Sequence, residues 1–401
     1  MTITEAAVTS DEQRVIDLVA DLLASFPPRQ TEPKVFLGEQ FDRGLAWVHF
    51  PGGHGGLELS PKLQKTINER IFGAGGPNPY ARNPIGYGMC GPTVVVWGSE
   101  EQKKRYLRPL FTGEEIWCQL FSEPGAGSDF AGLSSRGVRD GDEWVVNGQK
   151  VWTTLAHVSK WGLLVVRTDP DVPKHAGLTA FVVDMHGPGV ETRPLRQMTG
   201  EAEFNEVYFT DARIPDGERL GNPGDGWRVS LTTLMNERVS IGGAIVPQGS
   251  GPIAEAVRIW KSLPAERKDP AARDELMKLW IEAEVLRLTN IRAGQNRKIG
   301  VPGPEGSTGK LAYAEGNKRI YDFCVSLLGA DGMLYSSYEM QRPETAMFSD
   351  SVQKAFLRSR ANSIEGGTSE VMRNILGERV LGLPGDVRVD REVAWKDVPR
   401  T

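Results

Sequence analysis

The hydrophobic period changes twice along the chain, and those two changes constrain the fold more than any other feature. Across residues 11–115 apolar side chains recur at helical spacing, as in 12–26 and 100–111, interrupted by glycine-rich 51–56 and 73–79. At Ile116 the pattern becomes short β-branched or aromatic runs (117–122, 143–146, 161–167, 178–184 and 204–209), with turn pairs at Asp140-Gly141 and Asn147-Gly148. Beyond Gly226 long helical stretches return (229–244, 271–296, 310–328, 351–362 and 369–381), broken by the Pro/Gly segment 300–306. The pattern predicts an α+β multidomain chain: an N-terminal helical domain over 1–115, an antiparallel all-β domain over 116–223 and a C-terminal helical domain over 224–401.

Charge and composition narrow the function. With 47 Lys and Arg against 52 Asp and Glu, the net charge is −5, and no basic tract marks a nucleic-acid binder. No apolar run approaches the roughly 18 residues that a membrane span requires. The start of the chain is acidic where a secretory signal would be basic, so a soluble cytoplasmic protein is expected. Cys90, Cys118 and Cys324 are odd in number and far apart, which fits reduced thiols, and the five histidines lack metal-ligand spacing. Two glycine-rich segments mislead. Residues 303–310 (GPEGSTGK) have the wrong glycine spacing for a phosphate-binding loop, and Leu311 stands where Ser or Thr would hold magnesium. Residues 125–130 (GAGSDF) lack the third glycine and the βαβ setting of a dinucleotide turn.

The densest chemistry lies in residues 119–132 (QLFSEPGAGSDFAG) and 147–154 (NGQKVWTT). Pro124, Gly125 and Gly127 make a strand exit with open backbone N–H groups beside the hydroxyls of Ser122 and Ser128. Such a loop suits a polar, planar or phosphorylated ligand. On one strand Trp152 and Thr154 share a face about 7 Å apart, a plane and a hydroxyl for a flat heteroaromatic. The same residues also suit a plain turn, a core tryptophan and strand filler.

The segments SEPGAGSD (122–129), NGQKVWTT (147–154), FNEVYFTDARIP (204–215), LGADG (328–332) and GTSEVMR (367–373) occur in the order and spacing of the acyl-CoA dehydrogenase family. The chain resembles that family over nearly its whole length. The resemblance implies a central β-barrel and a C-terminal helical bundle, FAD held between them, and an acyl-CoA thioester against the flavin. It implies that Gln119, Phe121, Ser122, Gly127 and Ser128 bind flavin pyrimidine and pyrophosphate, and that Trp152 and Thr154 flank the ring. It implies also that Ser326, Gly329 and Gly332 reach a neighbouring subunit's FAD, with Thr368 and Glu370 at its adenosine and pyrophosphate. By the same resemblance Ser128, Arg238 and the Gly366 backbone are the expected substrate contacts. Electron-transferring flavoprotein is the implied acceptor and a homodimer or homotetramer the implied assembly. Some actinobacterial relatives are instead two-chain hetero-oligomers, so a half-site partner subunit is one rival reading, and a flavin oxidase or monooxygenase is another.

Desaturation needs a carboxylate facing the flavin across the substrate, to take the α-proton. In much of the family it immediately precedes the Gly-Thr pair; here Gly366 fills that slot and Glu365 is one residue early, displaced by about 100° on a helix. The other position, used by isovaleryl- and long-chain-type members, is an acid directly before an arginine on the first long helix after the barrel. Glu237-Arg238 within LMNERVSIG match it, so Glu237 is the expected base and Glu365 the alternate. A solvated charge pair would look the same, although Leu234, Val239 and Ile241 surround it with apolar positions. Gly242, Gly243 and Ala244 leave room for a wide acyl pocket or for close helix packing. The family's Arg-x-x-Phe-Gly segment is absent, with Arg267 or Arg273 the candidates to replace it. Ser326 replaces a common glutamine, and Ala202-Glu203-Phe204 replaces a more polar stretch that contacts coenzyme A.

Overall fold

A computed structural model describes residues 10–240, 246–298, 305–344 and 351–399. The first part is helical: α1 (Ser10–Ser25), α2 (Pro33–Asp42), α3 (Leu63–Gly73), α4 (Pro79–Arg82), α5 (Gly91–Trp97) and α6 (Glu100–Thr112). Local sequence fixes these ends. Ser99 and Gln102 form a reciprocal capping box at the start of α6, and Gly113 closes it with φ +71°. Buried Asn83 ties these helices to the start of the sheet: its Nδ2 donates to Leu110 O at 2.9 Å, while Oδ1 accepts from Trp117 N at 3.1 Å.

Eight strands come next: β1 (Trp117–Leu120), β2 (Arg136–Asp140), β3 (Glu143–Thr154), β4 (Trp161–Arg167), β5 (Leu178–Asp184), β6 (Val190–Pro194), β7 (Phe204–Pro215) and β8 (Arg219–Leu220). Strand alternation supplies two cores. Leu163, Val165, Ala180 and Val182 meet Trp47, Tyr106 and Trp117 on the side of the N-terminal helices. Leu164, Val166, Phe181 and Val183 face the other way, into a second core with Trp144, Val207, Phe209 and Ile214, so the sheet curls upon itself. The curl is not closure. Among the described residues the sheet runs β6-β7-β3-β2-β4-β5-β8, leaving β6 and β8 as edges, so the expected barrel is an open, curled sheet. Nor is it wholly antiparallel, since β1 pairs with β4 in parallel register. The Asp140-Gly141 turn joins β2 to β3. Asn147-Gly148, expected as a turn, instead lies inside β3 at a bulge opposite β7, where Gly148 has φ +152° and a side chain would strike Ser135.

The chain then returns to helix: α7 (Gly226–Ser240), α8 (Pro252–Ser262), α9 (Pro270–Lys298), α10 (Glu305–Leu328), α11 (Val352–Ser359) and α12 (Ser369–Arg379). Helices α8 to α11 share a core of Ile253, Ile259, Leu279, Ile320, Phe323 and Leu327. Helix α7 packs back on α5, where the buried hydroxyls of Thr93 and Thr233 lie 2.9 Å apart. None of the described helices is long and apolar enough to cross a membrane, and no described cluster of His, Cys, Asp or Glu could hold a metal.

Two ion pairs set the sheet against the last helices. Lys354 and Arg358, one turn apart on α11, meet Glu201 (2.6 Å) and Glu203 (3.3 Å), which alternate along the extended segment before β7. Arg358 also pairs with Glu365 at 2.9 Å; burial opposes its charge, and Glu365 and Glu203 together outweigh that and make it more basic than usual. Removing one partner of a buried pair is more costly than never having had the pair. Arg358→Met should therefore lower stability by about 3 kcal/mol in urea unfolding, and adding Glu203→Leu should recover part of the loss.

Candidate active site

The loop that carries most of the expected contacts is pinned where it leaves and re-enters the sheet. Past β1, Glu123 and Ala126 exchange two backbone hydrogen bonds of 3.0 Å, making a tight turn with Pro124 and Gly125 exposed at its tip. The Glu123 carboxylate then accepts from Ser134 N (2.7 Å), Ser134 Oγ (3.0 Å) and Ser135 N (3.0 Å), drawing the two ends together. From β3 the fully buried Lys150 donates to Glu123 Oε1 at 2.8 Å and to Phe121 O at 3.1 Å. Burial alone would raise the Glu123 carboxyl; the Lys150 charge and the hydrogen bonds from Lys150, Ser135 and Ser134 overcome it and hold the group at about 2.

The expected contacts lie along this frame. Gln119 and Ser122 are half-buried; Phe121 is buried and stacks on Phe130 (4.9 Å), which stacks in turn on Trp227 of α7 (6.1 Å). Gly127 and Ser128 are exposed, and the space beside Gly125 and Gly127 is open. Trp152 is 59% exposed, which removes the core reading, and has φ +60° at a bulge between Lys150 and Thr153. A bulky side chain in the left-handed region costs on the order of 1–3 kcal/mol, a strain that collects at functional sites. Thr153 points inward and Thr154 is half-buried, so Trp152 and Thr154 do share the accessible side.

The second wall comes from the C-terminal helices. Phe204 touches the Trp152 ring edge-on at 5.9 Å, and the Arg358 guanidinium lies 5.6 Å from the Phe204 centroid. Arg358 holds Glu365 bidentately, and Asn362 Nδ2 donates to the same carboxylate at 2.6 Å. The alternate base is thus engaged by its own neighbours. Beside it Gly366 and Gly367 have φ +63° and +93°, a reversal that residues with side chains rarely adopt. Lys310, last residue of the misleading 303–310 segment, is buried in α10, and its Nζ donates to the carbonyls of Asn362 and Gly367. Thr368 caps α12 through Val371 N (3.1 Å), and exposed Glu370 pairs with Arg373 at 3.2 Å.

Other expected residues lie elsewhere. Ser326 Oγ donates to Phe323 O at 2.8 Å, Gly329 ends α10 with φ +62°, and Gly332 is buried. Arg267 donates to Leu327 O at 2.7 Å beside Gly329, whereas Arg273 is exposed. Glu237 and Arg238 belong to α7, but their side chains fall outside the described residues, as do Gly242, Gly243 and Ala244 entirely. Four residues that organise the site had no assigned role: Glu123, Lys150, Lys310 and Arg358. Glu123 and Lys150 stand inside the two densest motifs, where a charge at an inward strand position is the readable signal.

Comparison with known proteins gives this arrangement a class. Residues 13–114, 118–212 and 224–381 match the family models of the acyl-CoA dehydrogenase N-terminal, middle and C-terminal domains. Acyl-CoA dehydrogenase IpdE1 of Mycobacterium tuberculosis (strain ATCC 25618 / H37Rv) is 36% identical over 347 residues, 86% of each chain. The ChsE4-ChsE5 complex from Mycobacterium tuberculosis has a TM-score of 0.69 and 26% identity, covering 96% of this chain and 100% of that one. A glutaryl-CoA dehydrogenase from Mycobacterium smegmatis in complex with FADH2 shares the fold at TM-score 0.66 and 20% identity, over 95% and 96%. The chain belongs to the acyl-CoA dehydrogenase family, and it is an oxidoreductase.

The Glu123–Lys150 pair makes two measurable demands. Lys150→Met leaves a buried carboxylate without its cation and should lower stability by about 3–5 kcal/mol in urea unfolding. Ionised Glu123 contributes stability above its unfolded pKa of about 4.3, and that contribution is lost as pH falls toward its folded value of about 2. Between pH 4.5 and 2 wild type should lose roughly 2–2.5 kcal/mol more than Glu123→Gln, as read from unfolding midpoints at each pH.

Proposed function

We propose that the chain desaturates an acyl-CoA thioester between its α and β carbons, giving a trans-2-enoyl-CoA, with Glu237 as the base. One observation carries the choice of base: Glu365 is held by Arg358 and Asn362, so the loop before Gly367-Thr368 offers no free acid. Position 237 lies on α7, four residues after Thr233, whose hydroxyl meets Thr93 of α5.

FAD suits the residues present: an exposed, strained Trp152 for a flat ring, and an open Gly125–Ser128 backbone for a pyrophosphate. Bound, it supplies a hydride acceptor. Gln119, Phe121, Ser122, Gly127 and Ser128 hold one side of it and Trp152 and Thr154 the other. Ser326, Gly329, Gly332, Thr368 and Glu370 reach the flavin of a second subunit. Glu237 removes the α-proton, the Gly366 N–H donates to the thioester carbonyl as charge develops there, and Ser128 and Arg238 orient the substrate. Electrons leave to electron-transferring flavoprotein. The three cysteines are buried and free, in keeping with a reducing cytoplasm. The likeness to a ChsE4-ChsE5 complex supports a second assembly, with a different chain in place of a second copy. Sedimentation and assay of the purified chain separate the two: an active homo-oligomer supports the first, a chain that is active only once a different chain is added supports the second, and a fully active monomer excludes both.

Anaerobic mixing with a panel of acyl-CoA thioesters should bleach the flavin. Glu237→Gln should then cut turnover by about 10²–10⁴-fold with FAD retained, whereas Glu365→Gln should mainly loosen the Arg358 network. Collapse of Glu365→Gln beside a fully active Glu237→Gln would return the role to the loop acid. Combining Glu237→Gly with Gly366→Glu should restore only part of the rate, because the new side chain must adopt the left-handed backbone of Gly366.

A further inference from the structure

Glu123 and Lys150 hold the base of the 122–135 loop, but its outer lip, Ser128–Leu133, is held by other groups. Arg167, buried at the end of β4, donates from the edge of its guanidinium plane, Nη2 to Ala131 O (2.6 Å), Nε to Leu133 O (3.2 Å) and Nη1 to Lys174 O (3.1 Å). The guanidinium carbon lies 4.3 Å from the ring centroid of Trp395, far away in sequence. Trp395 Nε1 donates to Gly132 O at 3.4 Å. Its backbone is tied down too: Trp395 N donates to Val172 O (2.9 Å), Lys396 N donates to Pro170 O (3.1 Å), and Ala394 bridges Pro173. Lys174 spans the two segments, pairing with Asp129 at 2.8 Å and Asp390 at 2.5 Å. Lys396 pairs with Asp171 at 2.7 Å.

We propose that residues 390–397 are a strap that positions the Ser128 lip for the coenzyme A end of the substrate. Asp129, Ala131, Gly132 and Leu133 are each held by the strap itself or by a residue the strap covers, and Asp129 adjoins Ser128. The strap lies beyond residue 381, where the match to the C-terminal family domain ends. Its contacts stop short of Ser122 and Lys150, which fix the flavin side separately. The strap therefore acts first on substrate affinity and touches cofactor retention only through Ser128, the one lip residue that also belongs to the proposed flavin contacts, while Gln119, Phe121, Ser122, Trp152 and Thr154 lie outside its reach. Arg167, Lys174 and Trp395 are positioning residues, acting through the lip. The proposal rests on the reading of Ser128 as a substrate contact.

The test uses the FAD-loaded protein, a chain ending at Gly385, and Trp395→Ala as the milder variant. Coenzyme A itself is the titrant, because every acyl-CoA carries it. Both variants should bind it about 5- to 20-fold more weakly by calorimetry, while the FAD-to-protein ratio and kcat stay within about twofold of wild type and KM rises. Hydrogen exchange should quicken at amides 128–133 and stay unchanged at 120–123 and 150–154. Wild-type coenzyme A affinity in both variants, or loss of FAD in step with it, overturns the strap's role. A wild-type protein that binds no coenzyme A overturns the acyl-CoA reading and the proposal together, whereas unchanged exchange at 128–133 overturns the strap alone.

Discussion

A lysine with no exposed surface organises this protein. Lys150 cannot be hydrated, so its charge is tolerable only beside the Glu123 carboxylate and the Phe121 carbonyl. Those partners sit where β1 leaves the sheet, and Glu123 also reaches forward to Ser134 and Ser135 where β2 begins. One ion pair thereby fixes the exit strand, the return strand and the neighbouring β3 against each other. The exposed turn between them is held to one geometry without burying the backbone that must meet a ligand.

The same frame places the strained Trp152 two residues beyond Lys150. At the bulge the chain turns that indole outward onto Phe204, and Phe204 lies under Arg358. The sequence Trp152, Phe204, Arg358, Glu365 crosses from the sheet to the C-terminal helices through touching groups. Under the proposed mechanism its last member is an acid already committed elsewhere: its oxygens are engaged by Arg358 and Asn362, and Gly366 comes next in a backbone conformation that an acid would strain. The proposed base is therefore the one on α7.

Periodicity showed the helix–sheet–helix order because amphipathic spacing is a local property, and the five ordered motifs single out the loop and strand of the candidate site. Closure of the sheet was not legible, since it depends on how strands at opposite ends meet and no local pattern encodes that. Asn147-Gly148 carries the dipeptide of a tight turn, yet pairing with β7 carries the strand through it and uses the glycine where Ser135 leaves no room. Lys310 reads as a helix start after a Pro/Gly linker, and in the fold it is a buried anchor for the Gly366-Gly367 turn. Charged residues read as surface by default, and Lys150, Lys310 and Arg358 each have a partner far off in the sequence, namely Glu123, Asn362 and Glu203 at 27, 52 and 155 residues.

The central claim is that the loop pinned by Glu123 and Lys150, with Trp152 beside it, is the flavin site of an acyl-CoA dehydrogenase. A crystal structure of the FAD-loaded protein tests it most directly. The account predicts the flavin ring against Trp152 and Thr154, with its pyrimidine and pyrophosphate along Gln119–Ser128 and the Glu123–Lys150 pair intact beneath. Flavin bound elsewhere, with Trp152 left facing solvent, would contradict it.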